Sequence, residues 1–367
     1  MNFNKYFIFI VFFVLILSVS AVSAADNFDT NDNSSYNLIN AREDVSSDST
    51  TINKNWTVYE FLNNYNDIQD NDVVLIRNGS GTPTESIVLN QNAITIFTEG
   101  NVIFDGQGKN LHFEIKGSNV IIQGITFKNF NFTGNGGAIR WNGDHGTLNN
   151  CNFINNTAER YAGAVYWNGT DGNITNCNFI NNAATYGGAV YWKGANGNIT
   201  NCNFINNAAT YAGSVNWNGA NGTLTSCTFT NNTAECNGGA ITWDGDNGTL
   251  SDSNFTANSA NTYSGGAVYW DGANGVLSGS TFTNNTAVSY GGAVLWNGGK
   301  GIITNSTFKG NTAERYGGGV FWIGDEGTIT HSAFKGNTAE RYAGAVYWDG
   351  DYGVLSGSTF TGNIAVY

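Results

Sequence analysis

Tryptophan recurs along this chain at nearly constant intervals of 25 to 27 residues. Each recurrence ends a glycine-rich segment such as Gly-Gly-Ala-Val-Tyr-Trp at 187–192, and a second apolar segment carries a Phe-x-x-Asn motif, as from Phe179 to Asn182. A period of this length without helical spacing is typical of one coil of a β-solenoid, because a helical repeat needs two amphipathic helices. The repeated tryptophans, predicted to form one structural ladder, are Trp141, Trp167, Trp192, Trp217, Trp243, Trp270, Trp296, Trp322 and Trp348.

The glycine-rich segment alternates in the manner of a strand. Val or Ile stands two residues before each tryptophan, whereas the residue between them varies, as at Arg140, Asn216 and Phe321. This alternation places Val/Ile and Trp inside and the varying residue outside. The phenylalanine of Phe-x-x-Asn also faces inward. The closing asparagine is predicted to stack in a turn, where its amide bonds to backbone groups and to its copies in the coils above and below. The pattern predicts an all-β parallel β-helix.

The chain divides into successive segments. Residues 1–24 place Lys5 before an apolar run and predict a signal peptide cleaved after Ala24, with an uncleaved anchor as the alternative. Residues 25–50 are acidic and predict a disordered linker. Residues 51–126 predict irregular first coils and a short capping helix, drawn from an i, i+3, i+4 spacing over 56–71. Residues 127–367 hold the regular repeats.

The paired Gly-Gly-Ala-Ile/Val and Phe-x-x-Asn motifs resemble the repeats of polymorphic outer-membrane proteins. They resemble still more the adhesin-like β-helix proteins of methanogenic archaea, over about residues 55–367. The resemblance implies a right-handed, pectate-lyase-like β-helix on the cell surface. It also implies contact with extracellular glycans or with surface proteins of other cells. Neither a translocator barrel nor an anchoring domain follows the repeats, so the resemblance leaves the mode of attachment open.

The net charge and the predicted export of the protein restrict the classes of molecule that it can bind. The net charge is −13, which argues against nucleic acid because a phosphate backbone needs a basic surface. No membrane span is expected once the signal is cleaved. The Asn-x-Ser/Thr sites, among them Asn173 and Asn247, suit a secreted glycoprotein. The strand edges of the final coil predict end-to-end association through that coil.

Four cysteines occupy one position of consecutive repeats, and Ser replaces them in later repeats. Exchange with a small residue predicts an inert internal column, with disulfides between coils and metal binding as the alternatives. A fifth, Cys236, lies in a turn. The column is Cys151, Cys177, Cys202 and Cys227.

Acidic residues follow several tryptophans. They are expected in ordinary turns, and the alternative is calcium held by carboxylate and backbone oxygens. No cofactor is predicted otherwise. The calcium candidates are Asp144, Asp244, Asp246, Asp325, Glu326, Asp349 and Asp351, with Asp271 in the same kind of turn.

Glu-Arg-Tyr recurs at 159–161, 314–316 and 340–342. Lyases of this fold need a basic residue beside carboxylates, and hydrolases need paired Asp groups. Identical copies on separate coils instead predict surface ion pairs, and a catalytic site is expected to break the repeat at one place, which no position does. The sequence therefore predicts no catalytic residues and a protein that is not an enzyme.

The favoured function is that of a secreted or cell-surface adhesin-like rod, for attachment or envelope structure. Outward tyrosines beside the tryptophans predict a track on which carbohydrate stacks. The alternative is an extracellular polysaccharide lyase or hydrolase of the β-helix type, and a wall-structural protein without a specific ligand is the third reading.

Overall fold

The structure is a computed structural model that describes residues 51–366. The predicted signal peptide and linker lie outside the described residues. The described chain winds into a right-handed parallel β-solenoid of about eleven coils, with one short helix near its N-terminal end. Each regular coil contributes strands to three parallel sheets. The prediction of a right-handed parallel β-helix is confirmed.

The first sheet, here called the tryptophan sheet, contains eleven strands in sequence order. Neighbouring strands pair in register, so that Val165 lies opposite Val190 and Trp167 opposite Trp192. Its strands are Ile87–Leu89, Phe113–Ile115, Ile139–Trp141, Val165–Trp167, Val190–Trp192, Val215–Trp217, Ile241–Trp243, Val268–Trp270, Val294–Trp296, Val320–Trp322 and Val346–Trp348.

The second sheet, the wide sheet, contains 23 strands because most coils contribute two short strands to it. A residue with positive φ separates the two strands of a coil, as at Asn176 (φ 53°) and Asn201 (φ 53°). Asparagine tolerates this left-handed conformation better than most residues, which explains its frequency at this corner. The first strands are Lys54–Thr57, Val73–Gly81, Thr95–Asp105, Ile121–Gln123, Thr147–Asn149, Asn173–Thr175, Asn198–Thr200, Thr223–Thr225, Thr249–Ser251, Val276–Ser278, Ile302–Thr304, Thr328–Thr330 and Val354–Ser356. The second strands are Ile125–Lys128, Asn152–Ile154, Asn178–Ile180, Asn203–Ile205, Thr228–Thr230, Asn254–Thr256, Thr281–Thr283, Thr307–Lys309, Ala333–Lys335 and Thr359–Thr361.

The third sheet, the alanine sheet, contains ten short strands that lead into the Gly-Gly turn of the next coil. Its strands are Asn131–Phe132, Thr157–Ala158, Ala183–Tyr186, Ala208–Tyr211, Thr233–Ala234, Ser259–Ala260, Thr286–Ala287, Thr312–Ala313, Thr338–Ala339 and Ile364–Ala365.

The helix spans Val58–Asn64 and continues as one 3₁₀ turn over Tyr65–Asp67. Thr57 and Glu60 form a reciprocal capping box at its start, which satisfies two of the free backbone N–H groups of the first turn. Phe61 is buried against the ring of Phe104, with 5.4 Å between centroids. The helix is shorter than the sequence spacing over 56–71 predicts, because the residues before it pair as a strand with Val73–Gly81.

Stacked aromatic rings fill the interior. Successive tryptophan rings are nearly parallel, with centroids 4.5 to 5.0 Å apart. The phenylalanines of the wide sheet stack in the same way. Glycine is required beside each tryptophan, since a Cβ at Gly172 would lie 2.3 Å from the Trp167 indole nitrogen. All the ladder tryptophans are fully buried except Trp348, which lies half-buried in the last complete coil.

The asparagine that ends each Phe-x-x-Asn motif forms a buried amide ladder. Asn258 Nδ2 donates to the Phe229 carbonyl at 3.0 Å and to Asn285 Oδ1 at 3.0 Å. Its own Oδ1 accepts from the backbone N–H of Asn232 at 3.0 Å and from the Asn232 amide at 2.9 Å. The predicted bonding to backbone groups and to copies in adjacent coils is confirmed.

The four stacked cysteines are free thiols in the structure. Each is fully buried, and the thiol bonds locally, as Cys177 Sγ does to the Thr175 carbonyl at 3.1 Å. Burial raises the pKa of the Cys151 and Cys202 thiols well above the ordinary value. In the next coil, Ser253 Oγ accepts from the Cys227 N–H at 3.0 Å, so serine takes over the same contact.

We predict that Asn258→Ala lowers the free energy of unfolding by about 3 kcal/mol, because it leaves the buried Asn232 N–H and Phe229 carbonyl unpaired. Asn254 lies on the exposed face of the same coil, so Asn254→Ala should change stability by less than about 0.5 kcal/mol. Denaturant unfolding followed by tryptophan fluorescence measures both. Equal effects of the two substitutions would contradict the structural role of the amide ladder.

Thiol alkylation followed by mass spectrometry provides a second test. We expect Cys236, which is half-buried, to be modified in the folded protein and the four ladder cysteines only after unfolding, since the reagent must reach the thiol. A disulfide-linked pair, or alkylation of a ladder cysteine in the folded protein, would contradict this arrangement.

Candidate functional site

The middle residue of each strand in the tryptophan sheet points away from the core. These residues form a single file, here called the outer column, since the strands pair in register. Sequence alternation predicts their outward direction. Several are nevertheless buried, among them Tyr166 and Phe321, which are 8 % exposed and do not belong to the core cluster. The outer column comprises Val88, Glu114, Arg140, Tyr166, Tyr191, Asn216, Thr242, Tyr269, Leu295, Phe321 and Tyr347.

A second file of tyrosines covers the outer column. These tyrosines lie immediately before the Gly-Gly or Ala-Gly turn of six coils and are here called the flanking column. Tyr161 contacts Tyr191 with ring centroids 4.5 Å apart, and Tyr290 contacts Phe321 at 4.9 Å. The protein therefore carries a second aromatic layer outside its core. The flanking column comprises Tyr161, Tyr186, Tyr211, Tyr290, Tyr316 and Tyr342.

Both columns are interrupted in the middle of the solenoid. Asn216 and Thr242 replace aromatic residues in the outer column, and Asn237 and Ser264 replace tyrosine in the flanking column. We call these four residues the polar interval. The prediction that no position breaks the repeat is therefore wrong. The sequence analysis considered each motif separately and did not detect the interval. Its substitutions lie in two motifs that come together only when the chain winds into coils.

The polar interval contains an unsatisfied acceptor. Asn216 is 4 % exposed, and no described residue bonds to its Oδ1. Thr242 Oγ1 donates to the Asn237 carbonyl at 3.3 Å, and Asn237 Oδ1 accepts from the Ser264 N–H at 3.2 Å. Buried polar atoms without partners are uncommon in folded proteins, so the polar interval differs from the neighbouring coils in its bonding as well as in its polarity.

Two carboxylates border the polar interval on successive coils. Asp244 and Asp271 directly follow the stacked Trp243 and Trp270. Asn218 Nδ2 donates to Asp244 at 2.9 Å, and Asn297 Nδ2 donates to Asp271. Asp244 is solvent-accessible, yet desolvation by the surrounding protein and, secondly, the Asp271 carboxylate raise its pKa to about 6. This pair therefore holds a proton more readily than ordinary surface carboxylates.

Tyrosine phenols lie beside this pair. Burial raises the pKa of Tyr191 to about 12, with further contributions from neighbouring tyrosines and from Asp244. Burial also raises the pKa of Tyr269, and the nearby Asp271 and Asp244 carboxylates add to the shift. Both phenols remain protonated at neutral pH and keep their hydrogen-bond donors.

Three of the other acidic turn residues accept hydrogen bonds from the corresponding turn of the next coil. Asp144 Oδ1 accepts from the Thr170 N–H at 2.7 Å, Asp246 Oδ1 from the Ala273 N–H at 2.8 Å, and Asp325 Oδ1 from the Asp351 N–H at 2.8 Å. Glu326 Oε2 lies 3.9 Å from Lys300 Nζ. Within residues 51–366, no three His, Cys, Asp or Glu side chains come together as metal ligands.

The Glu-Arg-Tyr motifs do not form the surface ion pairs that their repetition predicts. In the described part of the chain, none of Arg160, Arg315 and Arg341 has a carboxylate within ion-pair distance. The predicted surface ion pairs are therefore wrong. Arg160 instead lies over the ring of Tyr161, 4.7 Å from its centroid, because the neighbouring tyrosine offers a closer aromatic face than any acidic side chain.

Comparison with known proteins supports the fold. The family model "Right handed beta helix region" matches residues 163–313. A mutant tailspike protein of E. coli bacteriophage HK620, in complex with a pentasaccharide, is 11 % identical with a TM-score of 0.52, and the alignment covers 78 % of this chain. This chain spans only 58 % of that tailspike. The alginate lyase AlyF-OU02 is 13 % identical over 87 % of both chains, with a TM-score of 0.49. A PL6 alginate lyase in complex with a trisaccharide is 12 % identical over 84 % of this chain and 83 % of the lyase, with a TM-score of 0.41.

No curated protein matches the sequence significantly. Among the described residues, no helix has the length and apolar character needed to cross a membrane.

These comparisons contradict the prediction that the protein is not an enzyme. The solved structures that share this fold include a tailspike protein with a bound pentasaccharide. The prediction of a protein without enzymatic activity relied on the absence of any break in the repeat. The polar interval, bordered by two carboxylates, is such a break.

Proposed function

We propose that the protein binds an extracellular polysaccharide along the outer face of the tryptophan sheet, with one sugar seated at the polar interval. The observation that carries this proposal is the pair of aromatic columns outside the core, interrupted once by polar side chains. Aromatic rings offer sugars an apolar face to stack on, and their hydroxyls offer hydrogen bonds. A groove of this kind combines stacking with polar recognition at one place.

The repeated coils support binding to a long polymer. Tyr186 and Tyr211 stack with centroids 5.0 Å apart, and similar contacts recur toward the C-terminal coils. Several weak contacts along one chain raise the overall affinity without any strong single contact. Attachment of a cell to such a glycan agrees with the adhesin-like function that the sequence motifs imply. Export through residues 1–24 and a cell-surface location remain predictions.

Binding is tested with purified protein and a panel of soluble polysaccharides by affinity electrophoresis and calorimetry. We expect Tyr191→Ala and Tyr269→Ala each to weaken binding of the retained glycan about tenfold, the loss of roughly 1.4 kcal/mol. Tyr59 is 76 % exposed on the N-terminal helix, so Tyr59→Ala is the matched control and should bind normally. Thermal unfolding of each variant shows whether the fold is intact. Equal binding by all three folded variants would contradict a site on this face.

Glycan cleavage is a second candidate, favoured by the Asp244–Asp271 pair. Retaining glycosidases use two carboxyl groups about 5 Å apart, one protonated and one ionised. Adjacent coils of a parallel sheet are separated by ~4.8 Å, and the raised pKa of Asp244 suits the general acid while Asp271 serves as nucleophile. In this role Asp244 protonates the leaving glycosidic oxygen as the Asp271 carboxylate attacks the anomeric carbon. Water then releases the sugar.

Cleavage is tested by assaying new reducing ends and unsaturated products. A general acid with a pKa of about 6 is protonated below that pH, so activity should fall as the pH rises above about 6. Asp244→Asn and Asp271→Asn should each lower kcat at least 100-fold. Asp349 follows Trp348 in the corresponding turn, so Asp349→Asn serves as the control and should retain activity. Product formation that survives both substitutions would contradict this assignment, and an absence of products with every glycan would leave binding as the function.

A further inference from the structure

We propose that Arg140 and Arg160 form a subsite for an anionic group, a carboxylate or a sulfate, at the N-terminal end of the two aromatic columns. The polysaccharide bound by this face is then an acidic one. The inference rests on the proposed function, and it names the class of glycan that the face selects.

Arg140 has a fixed position in the sheet and forms no ion pair with any described residue. It stands in the outer column between Glu114 and Tyr166, in register with both. The residue is half-buried, and its Nε is buried with no hydrogen-bond partner among the described residues. The terminal guanidinium nitrogens are not enclosed in this way, so they are the donors that an incoming acid can meet.

The carboxylate of the neighbouring Glu114 already bonds to other side chains. Glu114 lies 3.4 Å from Lys116 Nζ and accepts a hydrogen bond of 3.0 Å from Asn142 Nδ2. Within the described part of the chain, no ion pair joins Glu114 to Arg140. The guanidinium group therefore remains available to an external acid.

Arg160 brings a second guanidinium to the same place. Its side chain is exposed, lies over the Tyr161 ring and has no described ion-pair partner. The charges of both arginines act on the phenol of Tyr166, where each opposes the effect of burial on the pKa. Tyr166 lies opposite Arg140 in register, and its ring centroid is 6.1 Å from that of Tyr161, the ring under Arg160. The two positive groups therefore flank one tyrosine, although the chain carries a net charge of −13.

The neighbouring imidazole of His112 does not add to this charge. His112 lies nearby and packs against Phe132 with ring centroids 3.8 Å apart. Burial lowers the pKa of His112 to about 4, so the imidazole is neutral at physiological pH. Arginine binds carboxylate and sulfate groups through paired N–H donors. The Tyr161 ring under Arg160 also contacts Tyr191, so aromatic rings adjoin this charge. This combination fits a charged sugar better than a neutral one.

Two arginines near the C-terminal end of the solenoid provide a comparison. Arg315 and Arg341 stand on successive coils beside Tyr316 and Tyr342 and also lack described ion pairs. Their side chains are exposed and have no buried unsatisfied donor. They therefore serve as matched controls for the removal of one positive charge beside a tyrosine.

The test compares binding of oligogalacturonate, its neutral methyl ester, sulfated dextran oligosaccharide and unmodified dextran oligosaccharide by calorimetry. We expect the protein to bind at least one charged oligosaccharide about tenfold more tightly than its neutral counterpart. Arg140→Gln and Arg160→Gln should each remove most of this preference and leave the affinity for the neutral sugar unchanged. Arg341→Gln should keep the preference. Thermal unfolding confirms that the variants are folded.

The outcomes separate this inference from the proposed function. Preference for oligogalacturonate identifies a carboxylate as the ligand group, and preference for sulfated dextran identifies a sulfate. Equal affinity for charged and neutral oligosaccharides, with binding still sensitive to Tyr191→Ala, would overturn the anionic subsite and leave the proposed function standing. A preference lost equally in Arg341→Gln would also overturn it, since general charge would then be the cause. Binding of no oligosaccharide, charged or neutral, would overturn the proposed function and the subsite with it.

Discussion

In-register parallel pairing between successive coils is the constraint on which the rest of this structure depends. Every coil places the same residue type over its copy, so each side chain meets an identical neighbour about one strand spacing away. Tryptophan, phenylalanine and asparagine each gain from this geometry, because rings stack and amides donate and accept along one line. Glycine beside each indole is a consequence, since a Cβ at Gly172 would enter the ring of Trp167.

The same register creates the outer face. Because identical positions align, a tyrosine before each Gly-Gly turn becomes a column, and the variable residue before each tryptophan becomes another. The two columns cover one another, which explains why Tyr166 is buried although it points away from the core. A surface built in this way changes its chemistry only where the repeat changes. The polar interval and the convergence of Arg140 and Arg160 on Tyr166 are two such places.

The changes in the repeat also account for the corrected expectation about enzymatic activity. Asn216 and Asn237 belong to different motifs, about 20 residues apart in the sequence, and neither substitution is conspicuous alone. The winding of the chain brings both to Thr242, two residues before Asp244. The pKa of Asp244 depends on the protein atoms and the Asp271 carboxylate around it. Sequence periodicity reports what is constant among the coils, whereas a site for chemistry consists of what differs.

The sequence by itself determined the solenoid, the coil length, the inward tryptophans and phenylalanines, and the bonding of the asparagine ladder. Period and alternation are local properties, and repetition averages out the ambiguity of any one coil. Only the tertiary structure decided that the helix begins at Val58, that Arg160 stacks on Tyr161 rather than on a carboxylate, and that outward tyrosines are covered. These three features depend on contacts between coils and between side chains of different motifs. The energy of each contact is set by the distance between the groups in space, which spacing along the chain does not give.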